Sequence, residues 1–290
     1  MTSKSSHLDR TAEEPREALS LIENVNERVR LLRLGLHNGP VKFSPGQWLD
    51  TYVPGIARAG GFTITCAPSS AASCDGLVAP YLELAVQQSP ENAVAAWLWQ
   101  PAEKIIGSHL HVRIGGSFVL PPPSHPQLEN IERIVFVAGG VGINPLMSML
   151  SYIAETDGFS KLDVSVFYTS KLPDRGGLES ILFVQRIAAL FADGRVKGTF
   201  KMYLTGSPES LQRFKRCRKA HCVIDNNVEV QEGRLSAAEL CPDPRNGDQS
   251  SSLIYICGPP TMTDSLFTSL TSGDSGLNIS PAQIMTERWW

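Results

Sequence analysis

Residues 134–145 read IVFVAGGVGINP, and this stretch decides the fold of the second half of the chain. The apolar run at its start is typical of a strand that is buried on both faces of a parallel sheet. Gly139, Gly140 and Gly142 allow positive φ and let a phosphate approach the backbone, and the start of a helix offers free N–H groups. The stretch therefore predicts a strand, a phosphate-binding turn and a helix. The alternative is a tight strand-to-helix turn that binds nothing.

The start of the predicted helix is specified independently of the glycines. Asn144 is a good N-cap, and Pro145 is preset for the first helical position. The glycine spacing differs from the GxGxxG fingerprint, so we expect a nucleotide to lie on this turn differently than in a dehydrogenase. The candidate nucleotide-binding residues of the turn are Gly139, Gly140, Val141, Gly142, Ile143, Asn144 and Pro145.

The sequence on either side of this turn alternates between strand and helix patterns. Strands are predicted at 131–138, 162–169, 199–204, 252–257 and 283–286, and helices at 145–155, 178–191 and 262–270. This alternation is typical of βαβ units, hence of a doubly wound parallel sheet with ligands at the carboxyl ends of its strands. Between residues 208 and 252 the pattern predicts no clear element.

A second motif, CGPPTM at 257–262, ends one of these strands. Cys257 would lie where the open edge of a doubly wound sheet meets its ligand. The alternative is a small buried apolar residue, which is the usual role of a lone cysteine. The candidate residues here are Cys257, Gly258, Pro259 and Met262.

The first half of the chain has a β texture. Runs at 29–36, 48–53, 62–66, 81–87 and 109–114 are separated by turn residues and predict a small antiparallel barrel. Three prolines at 121–123 form a stiff connector, so we divide the chain into a barrel at 25–123 and an α/β domain at 124–290. Residues 1–24 are predicted to be a polar tail with one helix after Pro15.

Composition excludes several function classes. The 290 residues suffice for about two domains, the net charge of −3 gives no field for nucleic acid, and no apolar run approaches a membrane span. The six cysteines are too few for a disulfide scaffold and form no CxxC pair, so we expect neither a metal nor an iron–sulfur site. A reducing, intracellular location is expected.

The glycine turn and the CGPPTM motif, placed after a barrel, resemble the pyridine-nucleotide half of the ferredoxin–NADP reductase superfamily. Weaker likenesses are the turn at 44–48, the strand start Phe62-Thr63-Ile64 and the turn Gly115-Gly116-Ser117-Phe118. The resemblance covers about residues 25–290. It implies an N-terminal flavin-binding antiparallel β-barrel followed by a doubly wound α/β NAD-binding domain.

The resemblance also implies a function. The chain would be a flavin-dependent NAD(P)H oxidoreductase, in which hydride passes from the nicotinamide to FAD. Electrons would leave to a separate acceptor, for which a protein is one candidate. Thr63, Cys257 and the terminal Trp290 would be catalytic. Phe62, Thr63, Ile64, Gly115, Gly116 and Ser117 would bind the flavin, for which FMN is an alternative to FAD. A carboxylate after the strand at 162–169 would indicate NAD, and clustered arginines would indicate NADP, but Ser170 and Lys171 offer neither. NAD is therefore favoured over NADP on resemblance alone.

Two departures from the superfamily pattern keep a second hypothesis open. The arginine that neutralises the flavin phosphate in the family falls on Gly60 here, with Arg58 two residues earlier, and the Gly-x-x-Ser/Thr helix start is missing between Ser89 and Trp97. The alternative is a nucleotide-binding regulatory protein of the same fold with weak or lost flavin binding.

Three segments are similar to a narrower group within the superfamily. They are Gly60–Gly61–Phe62–Thr63, the run FYTSK at 167–171 and the terminal ERWW at 287–290. Members of that group are thought to be mitochondrial, which gives a mitochondrial expectation by resemblance, with a cytoplasmic location as the alternative.

Overall fold

The computed structural model describes residues 16–37, 39–72, 79–125, 128, 130–221, 228–240, 251–272 and 278–289. Its first half is one antiparallel sheet of six strands in the order β4-β3-β6-β1-β2-β5. A bridge between Ile64 and Leu84 joins the two outer strands, so the sheet closes into the predicted barrel. The elements are β1 (Arg16–Asn24), β2 (Val29–Gly35), β3 (Trp48–Tyr52), β4 (Gly60–Thr63), β5 (Tyr81–Gln87), α1 (Ala93–Leu98), α2 (Ala102–Ile105) and β6 (His109–Gly115).

The prediction of a polar tail with a helix at 1–24 is wrong for residues 16–24, which form β1 between β2 and β6. Leu19 and Ile22 are three residues apart, a spacing that indicates a helix. In the structure a register shift between Leu19 and Leu21 breaks the strict alternation of β1. Both side chains therefore pack on the barrel core despite their odd spacing. Residues 1–15 lie outside the described residues.

The second half is a parallel sheet in the order β10-β9-β8-β7-β11-β12. Its elements are β7 (Arg133–Gly139), α3 (Ile143–Glu155), β8 (Asp163–Lys171), α4 (Val184–Ala192), β9 (Lys197–Thr205), α5 (Pro208–His221), β10 (Val228–Glu232), β11 (Ser252–Gly258), α6 (Pro260–Thr271) and β12 (Ile284–Arg288). Alternate β7 residues enter opposite cores: Phe136 packs on the α3 and α4 side, and Val135 and Val137 pack on the α6 side. Burial on both faces explains the continuous apolar run, and the doubly wound prediction is confirmed.

Two segments differ from their predictions. The unclear region after 208 contains α5 and β10, which adds an edge strand to the sheet. The single helix predicted at 178–191 is broken: a 3₁₀ turn at Leu178–Ser180 is followed by Phe183 with φ of 61°, and α4 begins only at Val184. Phe183 is buried, and its packing holds a left-handed backbone that bulky residues rarely adopt.

The barrel and the parallel sheet share a bonded interface. Glu83 on β5 is buried, and its carboxylate accepts hydrogen bonds of 2.6 and 3.0 Å from the Arg186 guanidinium on α4. Arg33 and Thr65 complete its surroundings at 3.3 and 3.1 Å. Burial by itself would raise the pKa of Glu83, but the Arg186 hydrogen bonds and charge, helped by Arg33, outweigh it and hold the pKa below its ordinary value. This ion pair fastens the two halves together.

Candidate functional site

The two glycine-containing motifs meet at the carboxyl edge of the parallel sheet. β7 and β11 are neighbours, with Ala138 opposite Cys257. A Cβ on Gly142 would lie 2.2 Å from the carbonyl oxygen of Cys257, and one on Gly139 would lie 2.8 Å from Cδ of Pro259. Only glycine permits this close approach of one turn to the other.

Gly140 is the open residue of the turn. Its φ is 55°, it is exposed, and nothing lies within 4 Å of the position of a Cβ. A 3₁₀ turn at Gly140–Gly142 leads into helix α3, and no side chain caps the start of that helix. Nearby at the end of β8, opposite Gly139, the hydroxyl of Thr169 is buried without a hydrogen-bond partner. An uncapped helix start, an open glycine and an unpartnered hydroxyl form a set that fits a nucleotide pyrophosphate.

Asn144 has a different role from the predicted one. Helix α3 begins at Ile143, so Asn144 lies inside its first turn and Pro145 is its third residue, not its first. The Asn144 side chain donates a 2.9 Å hydrogen bond to the carbonyl of Ala85 on β5 and is 6% exposed. The predicted N-cap is therefore wrong: this side chain fastens the turn to the barrel. Its Oδ1 is buried without a partner.

Cys257 is fully buried within the α/β domain. Burial, together with the charge of the neighbouring Glu287, raises the pKa of the Cys257 thiol well above its ordinary value. The thiol is therefore neutral near pH 7, and Cys257 acts through packing rather than as a thiolate nucleophile. Parallel pairing of β11 with β12 places Glu287 directly opposite Cys257.

Two residues that were not predicted as site residues lie at the end of the sheet: Glu287 in β12 and Trp289 just after it. The Trp289 N–H of the backbone donates to the Gly258 carbonyl at 3.0 Å, and its indole Nε1 donates to the Glu287 carboxylate at 2.9 Å. A Cβ on Gly61 would lie 3.8 Å from Cη2 of Trp289, so the indole spans from the sheet edge to strand β4 of the barrel. The ERWW ending was the available signal, but it directed attention to Trp290, which lies outside the described residues.

Burial raises the pKa of Glu287, and the hydrogen bond from Trp289 offsets this only in part. Folding therefore shifts Glu287 toward its protonated form, so its contribution to stability is present below its ordinary pKa and is lost as the pH rises through the folded value. We expect Glu287→Gln, which keeps an oxygen acceptor for the indole, to be more stable than wild type at pH 7. The gain in the free energy of unfolding should vanish on titration to pH values below 4.5. Urea unfolding across this pH range measures it, and an equal gain at every pH would contradict the assignment.

The barrel presents Thr63, Trp48 and Gly115 in one row. Register pairs Trp48 with both of the others, so all three lie on one face of β4, β3 and β6. Thr63 is 4% exposed. In the next row Gly61 lies beneath Trp289, and Asp50 pairs with Arg113. This face of the barrel and Trp289 lie next to each other, and Trp289 connects the face to the carboxyl edge of the parallel sheet.

Packing against the Trp48 indole explains why positions 115 and 116 are glycines. A Cβ on Gly116 would lie 2.7 Å from Nε1 of Trp48, and one on Gly115 would lie 3.0 Å from Cη2 of the same indole. The indole therefore lies across the predicted GGSF turn. Ser117 is exposed, and Phe118 is buried.

Other predicted site residues lie at the expected edges. Phe62 is half-buried beside Gly60, and Ile64 is fully buried in the barrel core. Ser170 and Lys171 are the last two residues of β8; the Ser170 hydroxyl donates to the Lys171 carbonyl at 3.1 Å, and Lys171 is exposed. Met262 reaches across to Gly139 from the start of α6.

Within the described residues, no group of three or more His, Cys, Asp and Glu side chains is placed to hold a metal ion. Cys74, Cys222 and Cys241, and the side chain of Cys217, lie outside them. In the same part of the chain, no helix combines the length and apolar character needed to cross a bilayer.

Comparison with known proteins identifies relatives along the whole chain. No family model matches the sequence. Oxidoreductase NAD-binding domain-containing protein 1 of Xenopus tropicalis is 31% identical, covering 98% of this chain and 84% of the relative. The propane 2-monooxygenase reductase component of Rhodococcus jostii is 25% identical over 86% of this chain and 57% of the relative.

The fold has a solved counterpart. A ferredoxin NADP+ reductase from Neisseria gonorrhoeae, with bound FAD and NADP, superposes with a TM-score of 0.65 at 18% identity, covering 96% of this chain and all of that one. The expected barrel plus α/β architecture is thereby confirmed. The identity and coverage of the Xenopus relative show that the chain belongs to the family of oxidoreductase NAD-binding domain-containing protein 1.

Proposed function

We propose that the protein is a flavin-dependent NAD(P)H oxidoreductase that passes electrons to a separate acceptor. The observation that carries this proposal is the position of Trp289, whose backbone bonds to Gly258 on the nucleotide edge and whose indole lies over Gly61 on the barrel. The barrel and the parallel sheet therefore both contact the same residue, Trp289. Reductase components among the relatives, such as that of the propane monooxygenase, support the oxidoreductase role and the separate acceptor.

A bound NAD(P)H would supply a hydride and a bound flavin would accept it, chemistry that needs the two rings stacked closely and without water. Gly140 and the start of α3 would hold the pyrophosphate of NAD(P)H, with the Thr169 hydroxyl as a further donor. Cys257 and Glu287 would form the wall beside the nicotinamide. Thr63 would face the flavin, and Trp289 would cover its ring. NAD is proposed as the preferred nucleotide, and Trp290 remains a proposed site residue.

A second candidate function is a nucleotide-binding regulatory protein without productive flavin. It is favoured by the crowding around Gly60, where a Cβ would lie 2.8 Å from both the Phe62 ring and Cβ of Val94. An arginine at this position has no room. The two candidates share the nucleotide site and differ only in the flavin. A mitochondrial location also stays a prediction.

We expect purified protein to retain the visible flavin band after incubation with flavin and removal of the unbound flavin, and anaerobic NADH to bleach it. NADPH added in a parallel sample should bleach it more slowly. The spectrum before and after each nucleotide measures both outcomes. A protein that binds NADH but never acquires a flavin band would contradict the reductase and leave the regulatory protein.

A further inference from the structure

Position 60, which by resemblance corresponds to the arginine that neutralises the flavin phosphate, is closed by the chain's own atoms. The Phe62 ring folds back over Gly60 and packs on the barrel core, and Val94 fills the space from the α1 side. Both contacts to a Cβ at Gly60 are 2.8 Å, and the Val94 contact is to its Cβ, which cannot swing away without moving α1. No side chain can extend from position 60 to reach a phosphate.

The backbone donors next to this position are also in use. The Asn92 side chain caps α1, and its Oδ1 accepts the N–H groups of Val94 and Ala95 at 3.1 Å each. The N–H of Ala96 donates to the Asn92 carbonyl at 2.8 Å. A phosphate would have to displace the cap before it could use these amides.

The nearby cations do not compensate. Arg113 is paired with Asp50 in the row of Gly61. Arg58, two residues before β4, is exposed. A solvated arginine on a surface loop contributes little to binding, because water screens its charge and its side chain must be ordered.

We propose that the chain binds a flavin through its ring system and leaves the phosphates without a clamp, so that riboflavin, FMN and FAD bind with similar affinity. This inference rests on the proposed flavin-dependent function. A charge-assisted hydrogen bond to a phosphate usually raises affinity about ten- to a hundredfold. Without such a hydrogen bond, the protein has little reason to bind FMN or FAD more tightly than riboflavin.

The test is equilibrium binding of riboflavin, FMN and FAD to the full chain at low and at high salt. Quenching of the flavin fluorescence reports the bound fraction. We expect the three dissociation constants to agree within about threefold and to change little with salt. FAD binding tenfold or more tightly than riboflavin, with a loss at high salt, would overturn the inference and leave the proposed function standing. Binding of none of the three would overturn both.

Arg58→Ala provides the decisive variant, because Arg58 is the exposed cation nearest to β4 in sequence. We expect all three affinities to stay unchanged, as for the control Arg195→Ala, which removes an exposed arginine after α4. A tenfold loss for FMN and FAD, with riboflavin unaffected, would identify Arg58 as a phosphate ligand and overturn the inference.

Discussion

Replacing Arg186 by alanine is expected to lower the free energy of unfolding by about 2–3 kcal/mol at pH 7. The substitution leaves the Glu83 carboxylate, whose side chain is 3% exposed, without its two strongest hydrogen bonds at the interface of the two halves. Removing one partner of a buried pair usually costs about 3–5 kcal/mol. We expect less here, because Arg186 is 41% exposed and Arg33 stays beside the carboxylate.

The pH dependence of this loss follows from the lowered pKa of Glu83. An acid whose pKa is depressed by folding contributes stability above its unfolded pKa, and loses it as the pH falls through the folded value. Urea unfolding of wild type and Arg186→Ala should therefore give a difference that is full at neutral pH and shrinks below about pH 4.5. Arg195→Ala, which breaks the exposed pair with Asp193, is the matched control and should change stability by less than about 0.5 kcal/mol. Equal losses in the two variants would refute the role of Arg186.

Gly142→Ala is expected to disrupt the glycine turn proposed to bind the nucleotide, with a loss of about 3 kcal/mol in unfolding free energy and at least about tenfold in NADH affinity. The new Cβ would lie 2.2 Å from the Cys257 carbonyl oxygen and 2.8 Å from Cα of Gly258. Both neighbours are backbone atoms of β11, so the clash is relieved only by separating the turn from that strand. The loss thus lies at the upper end of the range for overpacked sites.

Gly158→Ala is the control for this variant. Nothing lies within 4 Å of a Cβ at Gly158, so the added methyl meets open space. Thermal unfolding and NADH titration of both variants measure the effects. Normal NADH affinity in Gly142→Ala would show that the turn is not the nucleotide site.

The proposed flavin site has two parts, one for the ring system and one for the phosphates. The row of Thr63, Trp48 and Gly115, together with Trp289, can face a ring, whereas Gly60, Phe62 and Asn92 close the region of the phosphates. Binding without a phosphate clamp reconciles these two observations with a reductase function.

Local patterns in the sequence were sufficient for most of the parallel sheet and for its nucleotide edge. The run before Gly139 predicted a strand buried on two faces, and the glycines together with CGPPTM predicted two turns at one edge, because parallel strands bring their carboxyl ends together. β1 could not be predicted in the same way, since its register shift breaks the alternation that identifies a strand. The break at Phe183 left no local signal either.

The sequence by itself determined the fold class and the placement of the glycine turn, because periodicity and glycine positions act over a few residues. The long-range partners of buried polar groups were visible only in the folded structure: Arg186 for Glu83 and Ala85 for Asn144. It likewise decided that the Phe62 ring and Val94 occupy the space at Gly60. The contacts of Glu83, Asn144 and Val94 join segments far apart in the chain, and no local pattern encodes which distant groups a fold brings together.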